Sequence, residues 1–191
     1  MNKLLKKIRH VLEALVAYFL FAIFWLLGLD LASKISGKIA RLFGPRLSVS
    51  NVARRNLKYA MPELSEAERE KIVADVWENL GRVGAEFPYI SRIARNKKEG
   101  RITFENPAML ERIQSGEQPY ILVSAHLANW EVVHKLDYGS PLTVIYRPAN
   151  NPWIESLFRK ARTGIDDEAF PKGKEAARGL INACKRKKNI G

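Results

Sequence analysis

Tyr120-Ile121-Leu122-Val123-Ser124-Ala125-His126-Leu127-Ala128-Asn129-Trp130-Glu131 decides how the rest of the chain is read. The apolar, partly β-branched run Tyr120–Ser124 follows Gly116 and Pro119, which predicts a buried strand. A histidine comes immediately after it, and a carboxylate five residues later. In an open α/β sheet, ligands are met beyond the carboxyl ends of the strands, so His126 stands where chemistry is expected. Five residues turn about 140° around a helix axis, so His126 and Glu131 do not share a helical face. They meet only if His126 lies in the turn and Glu131 in the first turns of the following helix. Glu131 would then accept a hydrogen bond from one ring nitrogen and leave the other as a base. The pair alone is not specific: a capping histidine followed by a surface glutamate reads the same way.

A second apolar run, Leu142–Tyr146, ends in Arg147-Pro148 and predicts a second buried strand with a polar residue at its carboxyl end. Helices are predicted between and around these runs. Ser65 and Glu68 form a capping-box pattern, and Ile72, Val76, Leu80, Val83 and Phe87 follow at helical spacing as core. Asn106-Pro107 starts a helix that Gly116 stops, and Asn150-Asn151-Pro152 starts another. In that last helix Ile154, Leu157, Phe158 and Ala161 point inward, and Arg159, Lys160 and Arg162 form a basic side. Ile102–Phe104 reads as a short strand, the residues after His126 as a helix to about Leu136, and Arg95–Arg101 as a solvated connection. A final helix follows Phe170-Pro171-Lys172-Gly173, and Asn189-Ile190-Gly191 reads as the approach to a further strand. Strands alternating with helices give an α/β layered domain with helices on the faces of a sheet.

At 191 residues there is room for one domain with a real core. The net charge of +12 sits at the ends. Residues 1–60 carry eleven Lys/Arg against Glu13 and Asp30, and residues 172–191 carry seven against Glu175. The stretch between them is slightly acidic. Basic ends suit anionic lipid, an acidic protein or nucleic acid. The single cysteine, Cys184, rules out an internal disulfide. Three scattered histidines and one cysteine offer no metal-ligand cluster.

Val11–Leu29 is apolar apart from Glu13. That is a short membrane span or a deeply set interfacial helix, since about 20 apolar residues are needed to cross hydrocarbon. Tyr18 and Trp25 would sit near headgroups, with Lys3, Lys6, Lys7 and Arg9 on anionic lipid. No small-x-small cleavage site follows promptly, so the segment reads as a retained anchor over residues 1–30, with the body at 31–191. The denser basic flank after it places the body in the cytoplasm.

Several blocks, in order, resemble the late acyltransferases of lipid A biosynthesis, the lauroyl/myristoyl transferases of Gram-negative inner membranes. They are the apolar N-terminus, Asn56-Leu57 with Met61-Pro62-Glu63-Leu64-Ser65, Trp77-Glu78-Asn79-Leu80-Gly81-Arg82, His126 to Glu131, Tyr146-Arg147-Pro148 with Asn151-Pro152, and Pro171-Lys172. The resemblance covers nearly the whole chain. It implies an acyltransferase-like fold and transfer of an acyl chain from acyl carrier protein to a hydroxyl of a lipid A precursor, with no cofactor beyond the carrier's phosphopantetheine. It implies the family's histidine, four residues and an acid as a catalytic pair, His126 and Glu131. Asn129, Arg147, Arg159, Arg162 and Lys172 are expected to meet substrate or carrier: Arg147 through the thioester oxyanion or a glucosamine phosphate, Arg159 and Arg162 with Lys160 by steering the acidic carrier. Anionic inner-membrane lipid is a further expected partner, nucleic acid is not, and no metal is implied.

The chain departs from the family pattern in two places. Where the family has Phe-Gly before Asn-Trp-Glu, this chain has Leu127-Ala128, which narrows backbone freedom beside the site. Family members also run on past this point, which leads to the expectation that the sheet lacks its C-terminal part and that the chain is an inactive fragment. The alternatives are a glycerophospholipid acyltransferase, whose acid is usually Asp, a membrane-anchored basic binding module, and a non-catalytic remnant.

Overall fold

The computed structural model describes residues 3–95, 101–140, 142–162 and 168–191. The described residues are mostly helical: α1 Lys3–Leu27, α2 Leu29–Phe43, α3 Ser50–Ala60, α4 Glu66–Glu86, α5 Ile90–Arg95, α6 Pro107–Gln114, α7 Pro152–Arg162 and α8 Lys174–Lys185. The strands are β1 Thr143–Tyr146 and β2 Glu168–Pro171. The chain divides into two compact units, residues 1–20 with 89–191, and residues 21–88. The connection expected over Arg95–Arg101 lies largely outside the described residues.

Residues 21–88 form a helical unit whose main contact is α2 on α4. Ser65 opens α4 as a full capping box: its hydroxyl accepts from the Glu68 amide, and the Glu68 carboxylate accepts from the Ser65 amide. The block Trp77–Arg82 explains the packing. Gly81 lies so close to α2 that a Cβ there would stand 2.5 Å from the Ser36 carbonyl oxygen and 2.6 Å from the Ala40 Cβ. The Trp77 ring covers Gly44 with no room for a side chain, and its Nε1 donates to Ser50 Oγ, which donates to the Gly44 carbonyl. Glu78 accepts from Arg82 at 2.6 Å and from Arg41 at 3.2 Å, and Arg41 also binds Asp75. These residues therefore fasten helices together. Gly81→Ala pushes α4 off α2 and is expected to cost about 1–3 kcal/mol, read by chemical denaturation; an unchanged midpoint would mean that the two helices do not need this approach.

Three carboxylates of this unit titrate low. Hydrogen bonding to Arg54 holds Glu70 below the usual value, Arg82 does the same for Glu78, and Ser65 for Glu68. A depressed folded value stabilises the fold above the unfolded value and ceases to do so as pH falls through the folded one. Melting temperature is thus expected to hold at neutral pH and to drop as pH falls below the ordinary carboxylate range. A melting temperature flat down to pH 3 would remove these pairs from the stability of the unit.

In the other unit the sheet is small. β1 and β2 pair in parallel, with Thr143 opposite Glu168 and Tyr146 opposite Pro171. Ile190 extends the same parallel arrangement, bridging Thr143 on one side and Ile121 on the other. The Leu122 amide donates to the Ile190 carbonyl at 2.7 Å, the Ile190 amide to Tyr120, and the Gly191 amide to Thr143. Asn189, buried, accepts from the Tyr120 amide through its side chain. Asn189-Ile190-Gly191 thus lies between the two segments read from sequence as strands.

Of those two, Leu142–Tyr146 folds as expected, whereas Tyr120–Ser124 is reduced to the single bridge at Ile121. Past Leu122 it has no ladder partner among the described residues, and Val123 is 91% exposed. Ile102–Phe104 forms no strand, because three residues without a paired neighbour gain nothing from being extended. The expected helix after His126 is a single 3-10 stretch, Trp130–Lys135. Of the layered α/β expectation, the described residues show a minor parallel sheet among mainly helical elements. The core beside the sheet is Tyr138, Leu142 and Val144, packed by Leu110, Ile113, Leu122 and Leu136. α8 turns its small residues Ala176, Gly179 and Ala183 inward, with Gly179 flat against the Phe170 ring.

Candidate active site

The site is built from the loop after Leu122, the 3-10 turn Trp130–Lys135 and the last turn of α7. The Leu127 amide donates to the Ala125 carbonyl at 2.8 Å, which closes a three-residue turn with His126 at its apex. His126 is exposed there, and its ring leans on the Trp130 indole, with centroids 5.1 Å apart and planes at 60°. Two residues on, Ala128 has φ 45°, in the left-handed region that favours glycine. This is the position where the resemblance stated above leads glycine to be expected. Ala128→Gly should relieve that cost and raise stability by up to about 1 kcal/mol, measured by thermal unfolding; a loss of stability would show that the strain is absent.

Glu131 is buried, and its carboxylate is held on both oxygens by Arg162 of α7, Nε to Oε2 at 2.9 Å and Nη2 to Oε1 at 2.8 Å. Such a two-pronged pair is the strongest geometry for a carboxylate and a guanidinium. The Arg162 guanidinium also lies 5.8 Å from the centre of the Phe158 ring. The sequence reading gave Glu131 to the imidazole and Arg162 to the carrier. The structure instead brings Glu131 and Arg162 together, and no hydrogen bond joins His126 to Glu131. The physical reason is that a buried carboxylate needs a permanent cation, and Arg162 supplies one from the far end of α7.

The other expected residues are spread out. Asn129 is half-buried at the start of the 3-10 turn. Arg147 is exposed just past β1, and Arg159 is exposed on α7. Lys172 extends the β2 pairing, its amide donating to the Tyr146 carbonyl at 2.9 Å, and its side chain is exposed. Tyr146 is pushed above the usual phenol range by burial and by the nearby Glu155 carboxylate. Asn151, read as a helix start and as part of a block that carries the resemblance, is buried and accepts from the Trp153 amide as the cap of α7. Among the described residues, no group of three or more His, Cys, Asp or Glu could hold a metal ion.

Residues 1–191 match the family described as bacterial lipid A biosynthesis acyltransferase. The chain belongs to that family. It is 26% identical over 151 residues to the lipid A biosynthesis palmitoleoyltransferase of Escherichia coli (strain K12) and, over the same length, to the lipid A biosynthesis acyltransferase of Shigella flexneri. It is 28% identical over 156 residues to the lipid A biosynthesis lauroyltransferase of Escherichia coli (strain K12). In each case the match takes in 78% of this chain and 48% of the relative, so the chain spans about half the length of these relatives.

Proposed function

We propose that this acyltransferase domain moves a fatty acyl chain from the thioester of acyl carrier protein to a hydroxyl of a lipid A precursor. The observation that carries the reading is His126, exposed at the apex of its turn, with the buried Glu131–Arg162 pair five residues on. His126 takes the proton of the acceptor hydroxyl as that oxygen attacks the thioester carbonyl, then returns it to the departing thiol, a role worth about 10²–10⁴-fold. Glu131 is a positioning residue: through Arg162 it fixes the 3-10 turn, and that turn carries the Trp130 ring on which His126 rests. Exposed Arg147 and Lys172 are cations for the precursor's phosphate and the thioester oxyanion. The basic flank of α7, Arg159 and Lys160, is the surface for the acidic carrier. α1 is long and apolar enough to cross a membrane, and it brings the site to the inner membrane, on the cytoplasmic side, where carrier and precursor meet.

The rival acceptor is a glycerophosphate. Membranes containing the protein are given acyl carrier protein bearing a labelled acyl chain, with either a lipid A precursor or lysophosphatidic acid as acceptor. Label entering the lipid A precursor, and lost in His126→Ala, is the expected result; label entering only lysophosphatidic acid would reassign the enzyme to glycerophospholipid synthesis.

A further inference from the structure

α7 serves two neighbours from one face. Glu155 and Arg162 are seven residues apart, which is nearly two whole turns, so they share a side about 10 Å apart along the axis. At the far end Arg162 holds Glu131 on both oxygens and so fixes the 3-10 turn whose Trp130 ring meets His126. At the near end Glu155 reaches back, its Oε2 accepting from the Ala149 amide at 2.8 Å. The start of the helix is fastened as well. Asn151, 4% exposed, accepts from the Trp153 amide and donates through Nδ2 to the His10 carbonyl at 2.8 Å and to Glu13 Oε2 at 3.0 Å. α7 is therefore a fixed rod with an acidic arm at one end and a basic arm at the other.

The bond to Ala149 bears on Arg147. Arg147 lies between Tyr146, whose carbonyl accepts from the Lys172 amide at 2.9 Å, and Pro148, which has no amide to donate and a fixed φ. The first backbone donor after Arg147 is thus Ala149, and Glu155 takes it. With the strand on one side and Glu155 on the other, the backbone that bears Arg147 is held at both ends, while Arg147 itself is exposed. The helix start does not require this contact, because Asn151 already caps α7. Glu155 is also costly to keep: its Oε1 is buried and meets no hydrogen-bond donor among the described residues. We infer that Glu155 is a positioning residue for Arg147, and that α7 sets the distance between Arg147 and the His126 turn by holding one through Glu155 and the other through Arg162. This rests on the reading of His126 and Arg147 as parts of one acyl-transfer site. Both arms are in place before substrate arrives, so base and cation need no ordering at the moment of reaction.

The test is a double-mutant cycle on Glu155 and Arg147 in the detergent-solubilised protein. It is run with whichever acceptor the labelled acyl chain enters, so loss of the lipid A reading and loss of this one are separate results. Glu155→Ala is expected to lower kcat/KM by up to about 10²-fold, the scale of a misplacement of about 1 Å. Glu155→Gln keeps an acceptor for the Ala149 amide and should stay near the parent. In the Arg147→Ala background Glu155→Ala should lower kcat/KM no further, while its effect on melting temperature is the same in both backgrounds. Losses that multiply would overturn the proposal, as would an Arg147→Ala protein as active as the parent, or a Glu155→Gln protein as poor as Glu155→Ala. A second readout needs no substrate: hydrogen exchange of residues 146–151 should quicken in Glu155→Ala and hold at the parent rate in Glu155→Gln. Unchanged exchange in Glu155→Ala would overturn the proposal whatever the acceptor.

Discussion

In the proposed reaction, His126→Ala is expected to lower kcat by about 10²–10⁴-fold and to leave the KM for the lipid acceptor nearly unchanged. The magnitude is that of removing a positioned general base, and the asymmetry follows because the proton is shared only in the transition state. The ring's surroundings are an indole and solvent, so the truncation removes no buried contact of size and the variant should fold. That separates chemistry from stability: circular dichroism and melting stay at wild-type values while turnover collapses. A His126→Ala enzyme with unchanged kcat would take the base away from this residue altogether.

The second large effect is on Arg162. Removing its guanidinium in Arg162→Ala strands the buried Glu131 carboxylate, which costs about 3 kcal/mol, the lower end for a buried pair because Arg162 is about a third exposed. Arg162→Lys recovers only part of this, since an ammonium cannot occupy both carboxylate oxygens in one plane. Replacing both residues by Met should return most of the stability, because no unpaired charge is then left inside. Activity should stay low in the double variant if the pair positions the turn bearing Trp130. Full recovery of both stability and turnover would reduce the pair to packing.

What the sequence made legible was local. Ser65 with Glu68, Asn106 with Pro107, and Asn151 with Pro152 each satisfy the first amides of a helix within three residues, so the signal and its effect lie side by side. The β-branched run at 143–146 was equally plain. What escaped was long-range. Glu131 and Arg162 are 31 residues apart, and in sequence Arg162 belongs with Arg159 and Lys160 to one basic run; only the fold turns it inward. The same holds for Trp77 over Gly44, and for Asn151 on α1, 138 residues from Glu13. β2 was missed because four residues ending in proline carry no strand period of their own; β1 supplies the ladder. The Tyr120–Ser124 run was overread, since an apolar stretch specifies burial only where something covers it, and Val123 stands in solvent.

The direct measurement is the composition of the product. With the codon for His126 changed to alanine in the organism's own gene, lipid A is extracted and its mass spectrum compared with that of the parent strain. Base catalysis by His126 on a lipid A precursor predicts a lipid A lighter by one fatty acyl group, restored when the histidine codon is returned. A lipid A of identical mass in the two strains, with the variant protein present in the membrane in normal amount, would contradict it.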